Sequence, residues 1–217
     1  MRQLAIVLKI SERCNMACQY CYFFFGGDDT YLKHSAVMKE NVIEQLSLFI
    51  QTGITDLNIN HVSIILHGGE PLLLKKLSFI KMLDTIIEKI PKKCTYSFLV
   101  QINGLLVDDE WVAIFEKYNI GVGISIDGPK EYHDKYRIDK KGNGTYDRIV
   151  DKLKILQNAQ DSKKISGIGC LSVINKDFDP GVIFNHLVKT LRFQNIDLLL
   201  YQSSKISIKD LSSFYRQ

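Results

Sequence analysis

Proline is scarce in this 217-residue chain, with four in all, and no stretch rich in proline, glycine or serine interrupts it. No linker is therefore expected, and residues 1–217 read as a single domain. No apolar run approaches the roughly eighteen residues of a membrane helix, so no membrane span is expected. The first apolar run, Leu4–Ile10, is too short for a secretory signal, so none is expected. Charge of one sign is also lacking: 28 basic against 24 acidic residues leave +4, too little for a nucleic-acid footprint. The lysines between Lys130 and Lys164 alternate with Asp and Gly and read as solvated faces. Five cysteines are an odd number, and without an export signal a disulfide framework is not expected. A reducing cytoplasm is the expected location. What is present, 46% hydrophobic and 24% charged residues, is the composition of a globular protein.

Strand and helix patterns alternate. Leu4–Ile10 is a continuous apolar run, the pattern of a strand buried on both faces. Residues 36–51 have helical spacing, with Val42, Leu46 and Phe49 on one side. His61–Leu66 is a second strand. Pro71 opens, and Pro91 closes, a helix in which Leu73, Leu77, Ile80, Leu83, Ile87 and Ile90 recur every three or four residues. Further strands are predicted at Tyr96–Ile102, Val122–Ile126, Ile165–Ile174 and Asp197–Tyr201. Further helices are predicted at Asp108–Tyr118, Tyr146–Asn158 and Pro180–Leu191, and the last residues after Tyr201 are read as the start of another. Tyr136 and Arg137 are placed in a polar loop. Six such units predict a parallel α/β sheet with right-handed crossovers. Periodicity does not separate a partial barrel from a doubly wound sheet.

The chemistry concentrates in Cys14-Asn15-Met16-Ala17-Cys18-Gln19-Tyr20-Cys21. Three thiols at C-x3-C-x2-C, without a fourth nearby, suit a metal site left open at one position. Thiolates select soft centres: zinc, cuprous copper or iron–sulfur clusters. Structural zinc is closed by four ligands, and iron–sulfur clusters normally take four thiolates. A four-iron cluster held by three would keep one iron free. Cys94 and Cys170 stand alone and read as packed thiols. Gly142-Asn143-Gly144 has no Lys-Ser/Thr after it and reads as a turn, not a phosphate loop. The spacing of His34, His61, His133 and His186 does not suggest zinc.

The cysteine spacing, with Tyr20 before the last cysteine, resembles the radical S-adenosylmethionine (SAM) enzymes. The resemblance extends along the chain. His67-Gly68-Gly69-Glu70-Pro71 is similar to that family's GGE element. Gln101-Ile102-Asn103-Gly104, Ser125-Ile126-Asp127-Gly128-Pro129 and Tyr136-Arg137 are similar to the QTNG, SIDGP and YR elements of its peptide-modifying and sulfatase-maturase branch, with Ile102 where Thr is usual. Asp197-Leu198-Leu199-Leu200 resembles a sixth-strand element, with Tyr201 in place of Pro.

The resemblance implies a partial (β/α)6 barrel and two cofactors, a four-iron, four-sulfur (4Fe-4S) cluster and S-adenosylmethionine. It implies that Cys14, Cys18 and Cys21 hold the cluster, and that Gly68, Gly69 and Glu70 receive the SAM amino group beside His67. Ser125 would contact the ribose or carboxylate, Arg137 would pair with the methionine carboxylate, and Asp127 would orient this shell. The implied activity is hydrogen abstraction from a ribosomally made peptide, ending in a crosslink or an oxidation. The alternative is formylglycine formation in a sulfatase. A peptide or protein substrate and an electron donor such as flavodoxin or ferredoxin are the implied partners. Such maturases normally continue into a cysteine-rich SPASM domain with auxiliary clusters. No cysteine follows Cys170, so that domain is expected to be absent, and a truncated, non-catalytic cluster- and SAM-binding protein is a further alternative. A zinc-binding structural protein is another.

Overall fold

The computed structural model describes residues 2–200. Its strands are β1 (Gln3–Ser11), β2 (His61–Gly68), β3 (Thr95–Ile102), β4 (Ile120–Ser125), β5 (Ile168–Ile174) and β6 (Asn195–Leu200). Its α-helices are α1 (Tyr22–Phe25), α2 (Glu40–Asp56), α3 (Lys76–Lys89), α4 (Asp109–Lys117), α5 (Lys130–Tyr136), α6 (Tyr146–Asp161) and α7 (Pro180–Asn185), the last continuing through a wider turn at His186–Thr190. The strands hydrogen-bond in the order β1-β2-β3-β4-β5-β6, and every pair is parallel. A doubly wound sheet would reverse its order at a switch point. This sheet never reverses, and it curls into a half-barrel. Tyr201, proposed as the last residue of the sixth strand, and any helix after it lie outside the described residues. No helix among the described residues is long and apolar enough to cross a membrane.

The strands bury one face. Val62, Ile64 and Leu66 of β2, and Phe98, Val100 and Ile102 of β3, are buried in the core that also holds Phe79, Trp111 and Phe115 from α3 and α4. Trp111 stands edge-on to Phe79 at 5.1 Å. The other face lines the concave side, where Val7 remains 67% exposed. The expectation that Leu4–Ile10 is covered on both faces is thus corrected. A half-barrel has helices on one side only, and its inner wall is left open to a ligand.

Three expectations about helices also change. In α2 the buried stripe is Ile43, Ser47, Ile50 and Ile54, one position over from Val42 and Phe49, which are exposed. Residues 36–39 do not join it, because Met38 donates to the Ile10 carbonyl and Val37 bridges to Ser11 along the edge of β1. Residues 130–136 are helical instead of a loop. Among those seven residues only His133 is buried, so no apolar stripe announced the helix. Pro71 opens a short 3-10 turn, Pro71–Leu73, and α3 begins after it.

Candidate cofactor site

The cysteine loop leaves the carboxyl end of β1 and is pinned on both flanks. On one flank Gly69 N donates to Ser11 O (2.8 Å) and Glu70 N to Arg13 O (2.8 Å). On the other, Ala17 N donates to Ile138 O (2.8 Å) and Gln19 N to Tyr136 O (3.0 Å). The first flank requires glycine. Gly68 has φ +139°, and a Cβ there would lie 2.3 Å from Ser11 O; a Cβ on Gly69 would lie 2.3 Å from Arg13 O. Backbone meets backbone at these positions, which only glycine permits. The aromatic run after the loop packs back on itself. Phe23 and Phe24 meet edge-to-face at 4.7 Å, and Lys9 Nζ sits 3.7 Å over the Phe23 ring.

The three thiols of this loop are half-buried and free of disulfides, whereas Cys94 and Cys170 are buried in the core. Burial pushes Cys14 up to about 11 and raises Cys18. Cys14 Sγ accepts from Met16 N (3.4 Å) and from Asn103 Nδ2 (3.7 Å), and Asn103 also donates to Asn15 Oδ1 (2.7 Å). Among the described residues, no three His, Cys, Asp or Glu side chains gather closely enough to hold a single metal ion.

Glu70 is buried. Oε1 accepts from Leu72 N (2.9 Å) and Oε2 from Asn103 N (2.8 Å), so its carboxylate ties the β2 loop to the β3 loop. Beside it, His67 Nδ1 accepts from Gly68 N (2.7 Å), and burial lowers the imidazole's basicity.

The third cluster joins the cysteine loop to the far strands. Arg137 Nη1 donates to Tyr20 Oη (2.7 Å), Tyr20 donates to Asp127 Oδ2, and Val173 N donates to Asp127 Oδ1 (3.0 Å). Direct Arg137–Asp127 separation is 4.0 Å, so the phenol bridges a buried ion pair. Burial raises Asp127, and Arg137 opposes the rise. Arg137 Nε is buried without a partner among the described residues. Ser125 Oγ accepts from Gln101 Nε2 (2.9 Å), which leaves its own proton to donate.

A family model described as the radical SAM superfamily matches residues 8–178, about four fifths of the chain. The chain belongs to the radical SAM superfamily. Among its relatives is a cysteine-type anaerobic sulfatase-maturating enzyme of Clostridium novyi (strain NT), 28% identical over 178 residues, which are 82% of this chain and 45% of that protein. A serine-type anaerobic sulfatase-maturating enzyme of Bacteroides thetaiotaomicron is 34% identical over 152 residues, 70% of this chain and 36% of that protein. The chain thus spans less than half the length of these curated relatives. The structure of native anSMEcpe with bound AdoMet and Kp18Cys peptide matches with a TM-score of 0.80 at 23% identity, over 98% of this chain and 58% of that one. At that identity the likeness shows the fold: the radical SAM half-barrel. The superfamily's enzymes use a 4Fe-4S cluster and S-adenosylmethionine, and these are the cofactors of this chain.

As a radical SAM chain, its candidate residues fall at the carboxyl ends of β1, β2 and β4 and on the segment after α5. Tyr20 joins the Cys14–Cys21 loop to Asp127 and Arg137, while Gly68–Glu70 forms the opposite flank. Four contributors were missed as site residues: Tyr20 as a bridge, Asn103 beside Cys14, and His133 and Thr145 behind Arg137. A tyrosine inside the cysteine motif, and two opposite charges without local partners, are the signals that pointed to the bridge.

Two buried groups set opposing pH dependences. Burial raises Glu70 to about 7, so the folded chain keeps a proton that the unfolded chain releases from about 4.5 upward. Its contribution to stability is complete below the unfolded value and is lost as pH rises toward 7. Burial lowers His133 to about 2, so its contribution is complete above about 6.5 and is lost as pH falls. Between about 4.5 and 6.5 the two offset each other. Glu70→Gln is expected to unmask the histidine. Relative to wild type, its unfolding free energy falls by roughly 1.4 kcal/mol per pH unit as the solution is acidified through that window. Urea denaturation across a pH series measures this slope, and parallel profiles would refute it.

Proposed function

We propose that this chain is the core of a radical SAM enzyme that abstracts hydrogen from a residue of a peptide or protein. The reading is supported by three free thiols on the loop after β1, a loop pinned by Gly69 and Glu70 on one flank and tied through Tyr20 to Asp127 and Arg137 on the other. Cys14, Cys18 and Cys21 would hold the cluster, their number leaving one iron open. The donors fit an anionic methionine moiety: Ser125 has a hydroxyl proton to give, and Arg137 has an unpartnered Nε and a forked guanidinium suited to carboxylate. When bound, the cofactors supply an electron and a 5′-deoxyadenosyl radical. The protein's part is to hold the thiols, neutralise the carboxylate and keep both in register. Each Glu70 oxygen accepts one backbone N–H, from Leu72 and from Asn103, so the carboxylate ties the β2 loop to the β3 loop beside the Gly68–Gly69 backbone.

Similarity to both cysteine-type and serine-type sulfatase-maturating enzymes supports a sulfatase-like peptide as substrate, oxidised at Cys or Ser. Modification of another ribosomally made peptide is the second reading, supported by the likeness of Glu12-Arg13-Cys14-Asn15, Tyr20-Cys21-Tyr22 and Gly26-Gly27-Asp28-Asp29 to maturases of such peptides. A flavodoxin or ferredoxin would supply the electron, and the reducing cytoplasm suits such a cluster.

The test is anaerobic reconstitution with iron and sulfide, followed by SAM and dithionite. Release of 5′-deoxyadenosine supports the catalytic reading. A full cluster without that release returns the non-catalytic alternative, and zinc without labile sulfide returns the structural one. Mass spectrometry of a sulfatase peptide against a short peptide encoded by a neighbouring gene then separates the two substrate readings.

A further inference from the structure

We infer that His133 and Thr145 form a neutral hydrogen-bonded strut that sets Arg137 and Asp127 at the spacing S-adenosylmethionine needs, which makes them positioning residues. The inference rests on the reading of Arg137 as a SAM contact. Both strut residues are fully buried, at 0% exposure. The protons admit one consistent assignment. Asp127 N–H points at His133 Nδ1 (3.3 Å), so that nitrogen accepts and bears no proton. In a neutral ring the proton is then on Nε2, which donates to Thr145 Oγ1 (3.0 Å). The threonine hydroxyl in turn donates to Arg137 O (2.7 Å). Every donor meets an acceptor, from the backbone of the β4 loop to the backbone of the arginine.

The next side chain of the same helix completes the clamp. Asp134 Oδ1 accepts from Thr145 N (2.7 Å) and Tyr146 N (2.8 Å), fixing the start of α6 against α5. The main chain of Arg137 is thereby held before any ligand arrives. Its side chain is held at Nη1 by Tyr20, and Nε is left over. An apolar filler would pack this space equally well but would not align the two backbones. Buried polar chains of this kind are worth their desolvation only when every link is made.

The experiment uses the full chain, reconstituted anaerobically, with SAM itself as the probe in equilibrium dialysis. Thr145→Val cuts the strut with little change of shape, and Thr145→Ser keeps the hydroxyl. Thr145→Val is expected to bind SAM about tenfold more weakly, the effect of one neutral hydrogen bond, with iron and sulfide content unchanged. Thr145→Ser is expected to restore wild-type affinity. The change that SAM makes in the reduced cluster's paramagnetic resonance should need correspondingly more SAM in the valine variant. Should Thr145→Val not fold, His133→Asn, which can retain the Asp127 link while losing the threonine, is expected to show the same weakening. Wild-type affinity in a severed variant overturns the strut while leaving the SAM site standing. Failure of the wild type itself to bind SAM overturns both.

Discussion

Cys14→Ala, Cys18→Ala and Cys21→Ala are each expected to lose the iron–sulfur cluster, while Cys94→Ala and Cys170→Ala retain it. The contrast follows from placement. The first three thiols are half-buried on one loop, clasped between the Gly68–Glu70 loop and the 136–139 segment. The other two are packed among apolar side chains, and Cys170 donates to the Ile126 carbonyl at 3.5 Å. Three thiolates already leave one iron without a protein ligand, so removing one more leaves two corners for solvent. Iron and labile sulfide per chain, measured after anaerobic reconstitution of all five variants, give the answer. Equal content in all five would remove the assignment.

Arg137→Met is expected to destabilise the fold by about 3–5 kcal/mol, the usual penalty for orphaning one partner of a buried pair. Asp127 would keep a buried carboxylate whose cationic partner is gone, and Tyr20 would lose the donor that holds its oxygen. Adding Asp127→Asn should recover part of the loss, because the orphaned charge is then removed as well. A urea double-mutant cycle measures this coupling. Additive losses would show that the phenol bridge carries no interaction between the two charges. SAM affinity should fall in the single and the double variant alike, since both lack the guanidinium.

The six strands were legible because each is a short, mostly apolar run of six to nine residues, and the cysteine loop was legible from its spacing. Less legible was anything that depends on partners distant in sequence. Tyr20 reaches Asp127 across 107 positions, and Asn103 reaches Asn15 across 88. No local periodicity encodes such pairs. Helix α5 was missed because its one buried side chain is a histidine. The openness of the inner wall was missed because an apolar run says which residues avoid water, not how many layers cover them. That both Glu70 oxygens also accept backbone N–H groups, from Leu72 and from the distant Asn103, was not legible from the local sequence. The turn reading of Gly142-Asn143-Gly144 agrees with Asp139 Oδ1 accepting from Lys141 N (2.9 Å) and Asn143 N (3.0 Å).

The bridging phenol has a thermodynamic consequence. Tyr20 lies between two of the thiols, so fraying of the metal loop and release of the Arg137–Asp127 pair are one opening event. Whatever orders the loop also readies the guanidinium beyond β4, and whatever occupies the guanidinium steadies the loop. On the proposed reading, linkage would require reciprocity: the cluster and S-adenosylmethionine would each raise the other's affinity by the same factor.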